Sequence, residues 1–192
     1  MRVIAGTARG TKLTALPGED VTRPPQDRVK EGMFSAVQFM LEGARVLDLF
    51  AGSGQLGIEA LSRGAARCVF IDENRDACAV VRQNLKAAGL FEKASVAGTS
   101  AAQYLSACRE RFDLILLDPP YRHNTVAGIL PAVAVVTATG GVVLAETDYG
   151  AVLPERCGPL RLKKQYKYGK SAFARYEAEA DLEDGAGAEP VG

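Results

Sequence analysis

The chain has 192 residues, 47% of them hydrophobic and 24% charged, with a formal net charge of zero. That length suits one α/β domain with a substantial core, and the composition is ordinary for a soluble globular protein. There is no apolar run long enough to span a membrane, and the opening Met1-Arg-Val-Ile-Ala-Gly6 is too short for the apolar region of a secretory signal, so a cytoplasmic protein without membrane contact is expected.

In chain order, residues 1–22 form a short β-rich arm. Arg2-Val-Ile-Ala5 and Lys12-Leu-Thr14 flank a turn region at Gly6 and Gly10. Thr22-Arg-Pro-Pro-Gln26 is expected to be an extended joint, because proline disfavours helix in the residue before it. Asp27 is then placed to cap a helix whose apolar face carries Val29, Met33, Val37 and Leu41, with Phe34 and Met40 beside them. A strand at 45–50 leads through a glycine turn into a helix that ends near Arg63-Gly64. Cys68–Asp72 is a second strand. Asn74 caps a helix with Ala77, Val81, Leu85 and Ala88 on one face, and Gly89 ends it. A weak strand at 94–97 and a helix at 100–109 precede a strand at 113–118. Residues 125–136 are expected to be helical despite Pro131, and 141–146 to be a fifth strand. Two last strands, 160–166 and 172–178, meet at a hairpin turn, Tyr168-Gly-Lys-Ser171. Alternating strands and helices imply a mostly parallel, seven-stranded sheet covered by helices on both faces. Residues 23–178 make one domain.

Charge is unevenly spread. Residues 179–192 hold five acids and no base, so the rest of the chain carries a net charge of +5. This tail is small and apolar-poor and is expected to be disordered. Residues 156–175 hold Arg156, Arg161, Lys163, Lys164, Lys167, Lys170 and Arg175 without an acid, interleaved with Tyr166, Tyr168 and Phe173. Basic residues with aromatics among them suggest a nucleic-acid surface, although a solvated strand face has the same pattern. The four cysteines (Cys68, Cys78, Cys108, Cys157) are far apart and form no CxxC pair, which fits reduced structural thiols. With His123 as the single histidine, no metal site is expected.

Two segments carry chemistry, each an apolar run halted by a turn, as in a buried parallel strand bearing a site at its carboxyl end. In the first, Val46–Gly57, Gly52-Ser-Gly54-Gln-Leu-Gly57 fits G-x-G-x-x-G between strand and helix. Asp72, twenty residues past Gly52, is placed to accept ribose hydroxyls. The glycine pattern alone is compatible with a dinucleotide. Asp48, however, would set a fixed negative charge beneath the loop, opposing a pyrophosphate and favouring a cation such as S-adenosylmethionine. In the second segment, Asp118 and the Pro119 carbonyl can accept the two hydrogens of an exocyclic amine. That localises the nitrogen lone pair and stabilises the positive charge that grows during methyl transfer. Pro119 and Pro120 keep the turn rigid, and Tyr121 offers a face on which a base can stack.

These residues resemble the class I S-adenosylmethionine-dependent methyltransferases, and specifically the RsmD family, over residues 1–178. The marks are Arg2-Val-Ile-Ala-Gly6, Arg9-Gly-Thr-Lys-Leu13, Arg23-Pro24 with Asp27-Arg-Val-Lys-Glu31, Asp48–Leu61, Asp118–Tyr121 and Tyr168-Gly169. The resemblance implies a Rossmann-like fold with a small N-terminal β arm, and methyl transfer from S-adenosylmethionine to N2 of a guanine in small-subunit (16S) ribosomal RNA. The RNA is expected within a small-subunit particle, and the enzyme is expected to be a monomer. By the same resemblance Asp118, Pro119, Pro120 and Tyr121 bind the target base. Arg23, Pro24, Asp48, Phe50, Ala51, Gly52, Ser53, Gly54, Gly57, Asp72, Glu73, Ser100 and Ala101 form the cofactor site. Pro25 stands where the family often has threonine, and Ser100 where an Asp or Asn usually meets the adenine amine. Arg2, Arg9, Lys12, Arg28, Lys163, Lys164, Lys167 and Lys170 are candidate RNA contacts flanking the Asp118 site. Three alternatives share parts of the pattern: an adenine-N6 methylase, a non-catalytic S-adenosylmethionine- or RNA-binding assembly factor, and a dehydrogenase, which lacks a substrate domain and a plausible acid–base pair.

Overall fold

The computed structural model describes residues 1–16, 24–119, 125–148, 150–169 and 171–180, with 24–27 as backbone only. The carboxyl ends of four adjacent parallel strands position everything that follows. The elements are α1 (Pro24–Ser35), β1 (Arg45–Leu49), α2 (Gln55–Ser62), β2 (Arg67–Asp72), α3 (Arg75–Ala87), β3 (Ala94–Gly98), α4 (Ala101–Ala107), β4 (Phe112–Leu117) and α5 (Thr125–Val136). They continue with β5 (Thr137–Asp148), β6 (Arg156–Cys157), β7 (Leu160–Tyr168) and β8 (Ser171–Ala178). The sheet order is β3-β2-β1-β4-β5-β8-β7-β6. β1 to β5 are parallel neighbours, and the strand order reverses between β1 and β4, where a crevice opens at the carboxyl edge.

The expected seven strands become eight, with β6, β7 and β8 antiparallel. β6 is two residues on the sheet edge and leaves no periodic trace in the sequence. The first helix also differs from expectation. It begins at Pro24, so the two prolines form its first turn instead of an extended joint, and Asp27 lies inside it. Proline fits there because its preset φ is helical and its missing N–H would have no helical partner. Asn74 does cap α3, its side chain accepting from the Asp76 N–H at 2.9 Å.

Helices α1 to α3 cover one face, where Met33, Phe34, Ile58, Leu61 and Val81 pack on Val46, Leu116, Leu144 and Phe173. Helices α4 and α5 cover the other, where Leu105, Leu130 and Val133 meet Leu47, Ile115, Val143 and Tyr176. All four cysteines are free. Among the described residues no helix is long and apolar enough to cross a membrane.

The arm closes through a single antiparallel bridge, Arg2 to Lys12, with Val3 and Leu13 turned into the core. It lies along α2. Buried Glu59 accepts the N–H groups of Ile4 (2.8 Å) and Ala5 (3.0 Å), and Ser62 Oγ donates to Ala5 O at 2.6 Å. Lys30 Nζ on α1 donates to Arg2 O at 2.8 Å and stands 3.7 Å from Glu59 Oε2. Residues 181–192, most of the acidic tail, lie outside the described residues. Glu179 at its head is held: its N–H donates to Pro159 O at 3.0 Å.

Candidate active site

β1 ends in a turn with little freedom. Phe50, the one non-glycine residue at positive φ among the described residues (+65°), redirects the chain, and Gly52 and Gly54 continue it at +54° and +78°. The Gly52 N–H donates to Asp72 Oδ2 at 2.8 Å, and the Gly57 N–H to Asp48 Oδ2 at 2.9 Å. A carboxylate from each of two neighbouring strands therefore braces the loop. A Cβ at Gly57 would run into the Phe70 ring, so the third glycine of the motif lets α2 pack on β2.

The turn floors a cavity of about 980 Å³ at the carboxyl edge of the sheet. Of the expected site residues, Asp48, Phe50, Ala51, Gly52, Ser53, Asp72, Glu73, Ser100, Ala101, Asp118 and Pro119 line it. Gly54 and Gly57 shape the loop without lining the cavity. Pro24 is the first residue of α1. Arg23, Pro120, Tyr121, His123 and Lys170 lie outside the described residues. Ser100 also caps α4, accepting from the Gln103 N–H at 3.3 Å.

Sequence reasoning missed several wall residues, among them Leu16, Asn74, Ile129 and Asp148. Leu16 brings the arm to the cavity. Asp148 ends β5, one strand beyond Asp118; an acid at the end of an apolar strand was a usable signal. Asn84 was also missed. It is buried in α3 and donates to Ser53 O at 2.8 Å, while its other contacts grip Thr14.

Among the described lining residues are five carboxylates (Asp48, Asp72, Glu73, Asp118, Asp148) and neither lysine nor arginine. A pyrophosphate would meet like charge on every side, whereas a sulfonium or ammonium group would be favoured. Contrary to expectation, the charge on Asp48 is not fixed. Burial pushes its carboxyl well above the usual carboxylate range; the Gly57 hydrogen bond opposes that, and Asp118 and Asp72 push it further up. Its charge is conditional and is favoured when a cation is bound. The donor set fits S-adenosylmethionine. Asp72 uses one oxygen for Gly52 N–H and the other for Asn74 N–H (2.8 Å), and each oxygen keeps a lone pair for a hydroxyl.

The basic run does not form one surface. β7 is paired with β8, which carries Glu177, and Glu179 follows it. Lys163 Nζ lies 2.6 Å from Glu179 Oε1, and Arg161 Nε lies 3.0 Å from Glu179 Oε2. Tyr168 pairs with Ser171, and Ser171 with Asp148, so Lys167 stands near the cavity edge while Lys163 lies about 13 Å further down the strand. Of the interleaved aromatics, Phe173 belongs to the core and Tyr166 and Tyr168 are half-buried against it. Phe173 is buried and stacks on Tyr166 at 4.4 Å and on Tyr168 at 5.8 Å, and Lys164 Nζ sits 4.8 Å from the Tyr166 ring centre. Arg2, Arg9, Lys12 and Arg28 are exposed and make no ion pair among the described residues.

Residues 1–177 match the model of the family described as "Conserved hypothetical protein 95". Over 182 residues the chain is 40% identical to the "Putative rRNA methyltransferase YlbH" of Bacillus subtilis (strain 168), covering 92% of this chain and 98% of that relative. Over 194 residues it is 31% identical to the "Ribosomal RNA small subunit methyltransferase D" of Escherichia coli (strain K12), covering 97% of this chain and 94% of that relative. A solved structure, "Putative methyltransferase yhhF from Escherichia coli", superposes with a TM-score of 0.82 at 29% identity, covering 94% of this chain and 98% of that one.

Proposed function

Because this chain belongs to the RsmD family, whose model is described as conserved hypothetical protein 95, we propose that the amine it methylates is N2 of a guanine in small-subunit ribosomal RNA. It is a methyltransferase of that RNA and uses S-adenosylmethionine. The observation that carries the finer reading is the shared cavity. Asp118 and Pro119 leave β4 into the same space that Gly52 and Asp72 floor from β1 and β2.

S-adenosylmethionine, when bound, supplies a methyl group on an electrophilic sulfonium. The chain's own residues do the rest. Asp72 and the glycine turn hold the nucleoside end. Asp118 accepts one hydrogen of the amine and the Pro119 carbonyl the other, so the nitrogen lone pair leaves conjugation with the ring. The proton shed when nitrogen gains a carbon departs through the hydrogen bond to Asp118 Oδ. Acceptors fixed before reaction stabilise this charge without reorganising. Tyr121 stacks on the base.

The RNA backbone is held by Arg2, Arg9, Lys12 and Arg28 on the arm side and by Lys164, Lys167 and Lys170 on the hairpin side. Such contacts fix register and read no sequence. Lys163 contributes less, because Glu179 already neutralises it. A monomer acting on a protein-bearing small-subunit particle fits this surface. The deciding experiment is digestion of small-subunit rRNA from a strain lacking the gene, with mass spectrometry of the nucleosides. Loss of N2-methylguanosine, restored by the purified enzyme, is the expected result. Loss of N6-methyladenosine instead would overturn the reading.

A further inference from the structure

The cavity holds an acid that the transfer chemistry does not use. Asp148 is the last residue of β5 and lines the same cavity as Asp118 and Pro119. Leu117 of β4 lies opposite Ala145 of β5 in parallel register, which puts Asp118 level with Glu146 and Asp148 two residues further along the neighbouring strand, about 8 Å from Asp118 by strand geometry. The order along that edge is Asp72 on β2, the glycine turn after β1, Asp118 after β4 and Asp148 on β5. The cofactor residues occupy the β2–β1 end. Asp148 is therefore on the far side of Asp118, where the rest of the target base must lie.

A base amine is always flanked by a ring nitrogen, and the hydrogen on that nitrogen distinguishes the bases. In guanine the amine lies between N3, an acceptor, and N1–H, the donor beside it on the Watson–Crick edge. In adenine the neighbour of N6 is N1, an acceptor, and in cytosine the neighbour of N4 is N3, also an acceptor. A second carboxylate beside the amine acceptors matches two adjacent donors. It sets like lone pairs against each other for adenine or cytosine, and leaves a desolvated polar group without a partner.

Resting on the guanine-N2 reading above, we infer that Asp148 is the residue that selects guanine, its carboxylate accepting the N1–H while Asp118 and Pro119 accept the amine. An Asp-Pro-Pro-Tyr segment serves any exocyclic amine; the acid on β5 narrows it to one edge. Asp148 touches the ring nitrogen and not the transferred group, so its removal changes which base is methylated more than the capacity for transfer.

The test uses the full-length enzyme and 16S rRNA assembled by splinted ligation, with either guanosine or the riboside of 2,6-diaminopurine at the methylated position. Diaminopurine keeps the 2-amine but has an acceptor at N1. The wild type is expected to prefer guanine by about 100-fold or more in kcat/KM, the scale of discrimination when a buried polar group loses its partner. Asp148→Asn is expected to narrow that ratio to within about tenfold, because its amide donates to the diaminopurine N1 as readily as it accepts from guanine. Asp148→Ala is expected to lower the rate on guanine and also to narrow the ratio. S-adenosylmethionine binding reports folding and is expected to be retained in both variants, weakened at most modestly by the loss of one of the five cavity carboxylates. Equal wild-type activity on the two bases overturns the inference even if neither variant folds, and so does an unchanged ratio in a variant that binds cofactor. If the wild type instead forms N6-methyladenosine, the guanine-N2 reading itself falls. If it forms N2-methylguanosine without discriminating the two bases, only the role of Asp148 falls.

Discussion

The side-chain amide of Asn84, in the middle of α3, donates to the backbone carbonyl of Ser53 in the cofactor turn at 2.8 Å. The same side chain accepts from Thr14 N–H at 2.8 Å and donates to Thr14 O at 2.9 Å. One buried amide thus ties the end of the arm to the loop that floors the cavity. Asn84→Ala leaves three partners without a bond, each worth about 1 kcal/mol or more when buried. The expected outcome is a stability loss of about 2–4 kcal/mol by denaturant titration and weaker S-adenosylmethionine binding by calorimetry. Wild-type values for both would show that the link is incidental.

Glu59 and Lys30 form a second junction, with 0% and 3% of their side chains exposed. Glu59 also accepts from Arg63 Nε at 2.8 Å, so it balances two cations while capping the arm backbone. Removing one partner of a buried charged set costs about 3–5 kcal/mol because the others are left uncompensated. Glu59→Ala is expected to fall in that range and to make residues 1–16 the first site of limited proteolysis. An arm as resistant as in the wild type would contradict this.

Asp118→Ala is expected to keep S-adenosylmethionine affinity nearly intact and to slow methyl transfer by about 10²–10³, the effect of deleting one preorganised acceptor. Asp118→Asn retains more activity, since its carbonyl still accepts a hydrogen bond. Single-turnover methylation of rRNA with labelled cofactor measures both, and an unchanged rate for the alanine variant rules out the assigned role.

Asp48 gives a pH dependence with a definite sign. Its carboxyl is raised in the folded chain, so the folded state holds the proton at pH values where the unfolded chain has released it. The stability this contributes is present below the unfolded carboxylate range and is lost as pH rises through the raised value. Asp48→Asn removes that loss and should be more stable than the wild type, by a margin that grows with pH and then levels off. Binding of a cationic cofactor favours the ionised carboxylate, so wild-type affinity should rise with pH over the same window and the variant's should not. Thermal melts and calorimetry at a series of pH values check both trends.

The two basic regions separate experimentally. Charge reversal at Arg2 and Lys12 together is expected to weaken rRNA binding and flatten its salt dependence, by about 0.7 in slope for each phosphate no longer neutralised. Lys163→Glu should do much less, because Glu177 and Glu179 already face that lysine, at 4.0 and 2.6 Å. Filter binding across salt concentrations reads the slopes. A larger effect at Lys163 than at the arm would move the RNA surface to the far end of β7.

What the sequence by itself determined is local. The apolar runs of β1 and β4 stop at the Gly52 turn and at Asp118-Pro119, because a glycine turn and proline's missing N–H interrupt strand pairing there, and those stops marked the cavity. The cap at Asn74 and the hairpin at Tyr168-Gly169 depend on the same short-range chemistry. What the tertiary structure decided depends on residues far apart in the chain. Glu59 meets Ile4 across 55 residues, Asn84 meets Ser53 across 31, and Glu179 meets Lys163 across 16. In the sequence Lys163 belongs to a basic run and Phe173 to a set of aromatics; strand pairing puts acids beside the first and buries the second. Asp48 reads as a fixed charge until its burial is known, and Asp148 falls two residues past the expected strand 141–146 until β5 is set beside β4. Charge, burial and proximity in these cases depend on which segments pair, and the pairing is set by the topology of the whole sheet.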